Sequence, residues 1–236
     1  MTARNADTLL GRVWNLLNPL LFGLIYFLLV TIIRGRSGGL EVLADILANL
    51  YLWLFFSAAI VQGVSSTVGT SALLTQSSVP RAVLPIASTW ISSQILLRSM
   101  GVYAFAHLLA GRRLHFELLV VPIVVLAVAT AGLGLALLLA VLNLYVRDVS
   151  RLLGHMLRLW MYLSPVVWHF REAENYWFVK LNPLFHAVKT WTLALSGSGE
   201  ATLWPSLAIT IAFSAAALLG GLLLFVSRDD EFATQS

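Results

Sequence analysis

The chain has no cysteine and only two lysines, Lys180 and Lys189, in 236 residues. Without thiols it can hold no disulfide, no thiolate metal site and no thiol nucleophile. Charge is scarce at 11%, against 59% apolar residues and a mean hydropathy of +0.85. Those proportions lie far outside soluble usage and describe an integral membrane protein. No segment is long and polar enough for a separate soluble domain, so residues 1–236 read as a single membrane domain.

Catalytic signatures are missing as well. There is no His-Glu-x-x-His and no Gly-x-Ser-x-Gly, and His107, His115, His155, His169 and His186 show no metal-ligand spacing. No catalytic residue and no metal is therefore expected; His115-Phe116-Glu117 and His169-Phe170-Arg171-Glu172 read as polar rims. Gly-Lys occurs nowhere, which excludes a phosphate-binding loop of the Gly-x-x-x-x-Gly-Lys type. Any nucleotide energy has to come from another subunit. No Asp or Glu lies near the middle of an apolar run, and carriers driven by protons or sodium normally need buried carboxylates.

What is present is a series of long apolar runs. A hydrocarbon core of about 30 Å takes about 20 helical residues, and this ruler predicts six spans. They fall at about 16–33, 48–68, 86–109, 118–144, 149–168 and 204–226. The fourth would measure about 40 Å as a helix, so it tilts or emerges. The fifth meets Ser164-Pro165, where it either kinks and runs on to Trp168 or barely spans. Residues 1–12 lack the layout of a cleaved signal, so the first span is expected to stay in the mature chain. Between spans five and six, residues 170–199 contain two apolar pieces too short to cross, broken by Asn182-Pro183. They fit either a re-entrant hairpin buried in protein or an amphipathic helix lying in the headgroups.

The Lys and Arg tally nearly ties: Arg4, Arg12, Arg81, Arg147, Arg151 and Arg228 on the side of the termini face Arg34, Arg36, Arg112, Arg113, Arg171, Lys180 and Lys189. Setting aside the charges of 170–199 as part of a folded hairpin places the termini in the cytoplasm. Arg98 and Arg158 fall inside spans, where either could meet a lipid-linked phosphate or snorkel to an interface. Snorkelling is expected for Arg158, and both readings stand for Arg98. Aromatic residues gather towards span ends, as interface belts do.

The connectors carry an ordered set of signatures. Thr8-Leu9-Leu10-Gly11-Arg12-Val13-Trp14 runs into Asn18-Pro19-Leu20-Leu21, followed by Trp53-Leu54-Phe55-Phe56 with Gln62-Gly63. Ala72-Leu73-Leu74, Val79-Pro80-Arg81, Leu84-Pro85, Asn143-Leu144-Tyr145-Val146-Arg147-Asp148-Val149, Leu163-Ser164-Pro165-Val166 and Leu181-Asn182-Pro183-Leu184 come next. In this order they resemble the permease subunit of type-2 ABC exporters for lipid-linked polysaccharides such as O-antigen, capsule and teichoic acid. The likeness covers nearly the whole chain.

The resemblance implies an all-α integral membrane fold of six transmembrane helices with an external re-entrant hairpin before the last. It further implies a homodimer in the bacterial inner membrane bound to two cytoplasmic ABC ATPase subunits, which carry the Mg-ATP; membrane lipids surround it and no nucleic acid is involved. The seventeen residues Gly69 to Pro85 would hold the coupling helix, longer than a turn needs, with contacts at Ser71, Leu73, Leu74, Gln76, Ser77, Ser78, Val79, Pro80 and Arg81. Asp148 is expected to cap the fifth helix and Arg147 to anchor in headgroups. Asn182 and Pro183 would turn the external hairpin at the pathway exit. The family's pathways carry aromatic rings, on which sugar C–H faces stack, so the resemblance implies that a subset drawn here as Trp14, Tyr26, Tyr51, Phe55, Phe56, Trp160 and Tyr162, together with Arg98, lines the pathway. Only seven residues precede Thr8, where the family usually carries a basic interface helix. Either part of it is absent from this sequence, or its start was assigned late, or it is reduced to Arg4–Trp14. The Arg-over-Lys bias suggests a GC-rich bacterium and, with the resemblance, a cell-wall galactan as cargo. A small-lipid or drug exporter, a membrane-embedded glycan-assembly enzyme, and a pore or scaffold without a motor are the alternatives.

Overall fold

The computed structural model describes residues 14–34, 39–68, 80–146, 148–198 and 201–228. Among them the chain is helical: α1 Trp14–Arg34, α2 Leu40–Val68, α3 Val83–Leu109, a 3-10 turn Phe116–Val120, then α4 Val121–Tyr145 and α5 Val149–Leu163. Three short helices follow, α6 Phe170–Ala173, α7 Trp177–Lys180 and α8 Pro183–Ser196, before α9 Leu203–Ser227. Local chemistry sets these boundaries. Pro122 and Pro183 lie in first turns, where a missing N–H costs nothing. α8 closes on Gly197 at φ +65°, a left-handed C-terminal cap that donates its N–H to the Leu193 carbonyl at 3.1 Å.

Two boundaries differ from those expected. α2 begins at Leu40, about two turns before residue 48, because a segment holding Glu41 and Asp45 extends it beyond its apolar stretch. α5 stops at Leu163 instead of running to Trp168: Ser164, which precedes Pro165, is already extended at φ −104°, ψ 150°. The expected cap is different too. Asp148 makes no capping hydrogen bond; its carboxylate pairs with Arg151 at 3.3 Å. The orphan N–H of Ser150 instead finds Asn143 Oδ1 of α4 at 3.0 Å. Arg147 lies outside the described residues.

Successive long helices alternate in direction. At one end Arg112, just past α3, bonds Asp45 near the start of α2. At the other, Gly63 of α2 lies near Pro85 of α3 and Ala136 of α4. α2 is the centre of the bundle, with Leu50, Leu52, Phe56, Ile60 and Val64 at 2% exposure or less. α3 meets it through a stripe of small polar residues, Ser88, Ser92 and Ser99, each donating its hydroxyl to the carbonyl four residues back. That internal satisfaction lets a hydroxyl face be buried at close helix spacing. α4 and α9 approach even more closely: a Cβ on Gly134 would fall on the backbone of Ala217, and one on Gly221 on the carbonyl of Gly134.

Among the described residues three helical stretches are long and apolar enough to cross a membrane, Leu40–Thr67, Phe116–Tyr145 and Leu203–Ser227. Leu20–Leu29 in α1 is apolar but shorter. α3 is diluted by serine, threonine and Arg98, and α5 has only 15 residues. The chain is thus a multi-pass helical membrane protein.

Candidate functional site

Of the residues expected to line a pathway, Tyr26 and Tyr162 come together, where α1, α5 and the α6–α8 hairpin meet. α5 is amphipathic: Leu153, Leu157 and Met161 are buried on one side. Arg151, His155, Arg158 and Tyr162 follow one another at helical spacing on the opposite, exposed side. Tyr26 of α1 reaches that side, its hydroxyl 3.2 Å from the hydroxyl of Tyr162. Above the pair opens a cleft of about 430 Å³ lined by Leu29, Tyr162, Leu163, Val167, Trp168, Tyr176, Phe178 and Val179. Trp168 and Tyr176 stand edge to face at 6.3 Å, and Tyr176 and Phe178 are 5.7 Å apart.

Asn182 ties the hairpin to α5. Its Oδ1 accepts from the backbone N–H of Leu184 at 3.1 Å, capping α8, and from the indole N–H of Trp160 at 2.9 Å. Its Nδ2 donates to Ser164 Oγ at 2.9 Å. The indole of Trp168 donates to the Ser164 carbonyl at 2.9 Å, so the break at Pro165 becomes a docking point. On its other side α8 is locked to α2: Trp191 Nε1 donates to the Ala48 carbonyl at 3.1 Å, and the Thr192 hydroxyl to Asn49 Oδ1 at 2.9 Å. His115 Nε2 lies 2.9 Å from the Ala194 carbonyl and joins the loop after α3 to the same helix.

Two ion pairs tie this end together. Lys189, buried within α8, is held by Glu174 and lies 5.7 Å from the ring centre of Phe170. Arg112 meets Asp45 at 2.7 Å. Burial disfavours its charge, but the hydrogen bond and attraction of that carboxylate win and hold the guanidinium above its ordinary pKa.

The other expected pathway residues are placed differently. Tyr51, Phe55 and Phe56 are 2%, 3% and 1% exposed, packed inside the subunit. Trp160 is half-buried against Phe56 and Trp53, at ring distances of 5.5 and 6.4 Å, and works as a packing anchor. Arg98 is exposed on α3, away from this face, among the exposed Ile91, Ile95 and Leu97. Trp14 is the first residue of α1, its side chain outside the described set. Ser71, Leu73, Leu74, Gln76, Ser77, Ser78 and Val79 lie outside the described residues; Pro80 and Arg81, just before α3, are exposed and half-exposed. Residue reading missed Asn143, Asn49, Ser164 and Lys189, because no spacing rule pairs residues so far apart in the chain.

This arrangement is a membrane bundle with an aromatic, basic face, and its sequence matches the ABC-2 type transporter family over residues 2–194. The chain belongs to that family. It is 26% identical to the O-antigen export system permease protein RfbA of Myxococcus xanthus over 237 aligned residues, covering 99% of this chain and 90% of that one. It is 22% identical over 194 residues to the protein of that name in Klebsiella pneumoniae, covering 81% and 74%. As an ABC-2 family chain it is a transport subunit, related to permeases named for O-antigen export.

Proposed function

We propose that this chain is the permease of an ATP-driven exporter that carries a lipid-linked polysaccharide across the bacterial inner membrane. Two copies would enclose the pathway, and two copies of a separate cytoplasmic ATPase would supply Mg-ATP hydrolysis. The similarity to O-antigen export permeases along nearly the whole chain carries this reading. The alternation of the six helices of 15 residues or more among the described residues supports six crossings, with α1, α3 and α5 completing the three that qualify by length and apolarity. The burial of α8 on all sides, from Ala187 to Leu195, favours a re-entrant hairpin over a helix floating in headgroups.

In this reading Tyr26 and Tyr162 face the pathway and the Trp168–Tyr176–Phe178 cleft forms part of its outer mouth, suited to sugar faces. A glycan-assembly enzyme gains little support, since Asp45 and Glu174 are engaged with Arg112 and Lys189. Composition alone speaks for a galactan among the possible cargoes. The segment Gly69 to Pro85 would dock on the ATPase.

The test is purification of the complex in mild detergent, with Ser78 to Arg81 intact or replaced by a Gly/Ser linker. A stoichiometric ATPase that accompanies the native chain and is lost from the variant is expected. A native chain that purifies alone would sink the proposal.

A further inference from the structure

Arg158 stands on α5 with no anion among the described residues to meet it. Two residues on, Trp160 packs against Phe56 and Trp53. Those rings lie at the middle of the Leu40–Thr67 stretch that is long enough to cross a membrane. Two helical residues rise about 3 Å, so Arg158 sits near mid-depth. It is exposed, and with the described residues it makes neither an ion pair nor a hydrogen bond. A guanidinium at that depth is costly unless an anion or water reaches it. A second copy cannot supply the anion, because all eleven Asp and Glu fall at or near the ends of the apolar runs, or outside them.

The surroundings suit a particular kind of anion. Tyr162 is one turn beyond Arg158 on the same face, and its hydroxyl lies 3.2 Å from that of Tyr26. The two hydroxyls carry two protons and their mutual bond uses one, so one O–H remains to donate. A guanidinium fork beside a free hydroxyl matches the several oxygens of a phosphate. Arg151 and His155 extend the basic stripe towards the start of α5. Arg98, also near the middle of its helix, has no such hydroxyls, and its exposed neighbours are apolar.

We propose that Arg158 and the Tyr26–Tyr162 pair bind the phosphate or pyrophosphate ester that joins the cargo to its polyprenyl carrier, a reading that rests on the export function above. Arg158 is then a substrate-positioning residue and not the snorkelling cation expected from its place in the sequence.

The experiment uses the intact permease and ATPase complex in phosphatidylcholine nanodiscs. Retention of undecaprenyl pyrophosphate is followed by native mass spectrometry, with undecaprenol as the uncharged match and phosphatidylglycerol as a competing headgroup. The native complex should prefer the pyrophosphate, and Arg158→Gln should weaken its retention by about tenfold or more. Tyr162→Phe, which keeps the ring, should weaken it less and keeps the test readable if Arg158→Gln does not assemble. Arg98→Gln, which removes the same charge from α3, should leave retention unchanged. Native retention in both Arg158→Gln and Tyr162→Phe would overturn the inference, as would an equal loss in Arg98→Gln. Displacement of the probe by equimolar phosphatidylglycerol would assign the site to bilayer lipid and overturn it too. A native complex that does not distinguish pyrophosphate from undecaprenol would overturn the export reading itself.

Discussion

Asn182 shows how much a single side chain can organise. It satisfies the first turn of α8, holds the Trp160 indole and donates to Ser164, so three elements converge on one amide. Asn182→Ala removes the cap and leaves the Trp160 N–H and Ser164 Oγ short of a partner, which should cost about 2 kcal/mol or more. Asn182→Asp keeps both acceptor roles and loses the donor. Thermal unfolding in detergent should therefore rank Asn above Asp above Ala; an alanine variant as stable as the native chain would show that the hairpin is held elsewhere. The Asn-Pro pair was legible in the sequence as a turn, since proline after a polar cap marks a helix start. Its tie to Trp160 was not, because the two are 22 residues apart and a break in the helix, not a periodicity, brings them together.

At the level of the helices, the sequence reading rested on the length of apolar runs, which says little about where a helix ends. α5 ended early for the reason the Ser164-Pro165 pair offers, and α2 began early because polar residues continue a helix past its apolar core. The α4–α9 contact was invisible to sequence reading, since glycines in an apolar run do not say which helix they face. Two adjacent glycines now separate the possibilities. A Cβ on Gly221 would meet the backbone of Gly134, whereas one on Gly220 meets nothing within 4 Å. Gly221→Ala has to push α9 off α4 and should cost about 1–3 kcal/mol. Gly220→Ala should be neutral or stabilising by up to about 1 kcal/mol, because alanine loses less backbone freedom in a helix. Unfolding midpoints that fall equally for both variants would remove backbone contact as the basis of that packing.

For the whole molecule the open physical question is which faces of the bundle look into the cell, and charge alone answers poorly because basic residues are spread over both ends. The absence of cysteine makes the answer directly measurable, since a single introduced thiol is the only one present. Gly39, Leu114 and Trp177 are exposed at the end that holds the α6–α8 hairpin, and Pro80, Asp148 and Arg228 are exposed at the other. If the helices cross six times with cytoplasmic termini, cysteines at the first three positions should react with a membrane-impermeant maleimide in intact bacteria that have a permeabilised outer membrane. Those at the second three should react only after the inner membrane is opened. Reaction at Leu114 and Pro80 from the same side would mean that α3 does not cross and would overturn the six-crossing reading. The reverse labelling would turn the aromatic cleft of Trp168 and Tyr176 towards the cytoplasm, making it a place where cargo enters instead of one where it leaves.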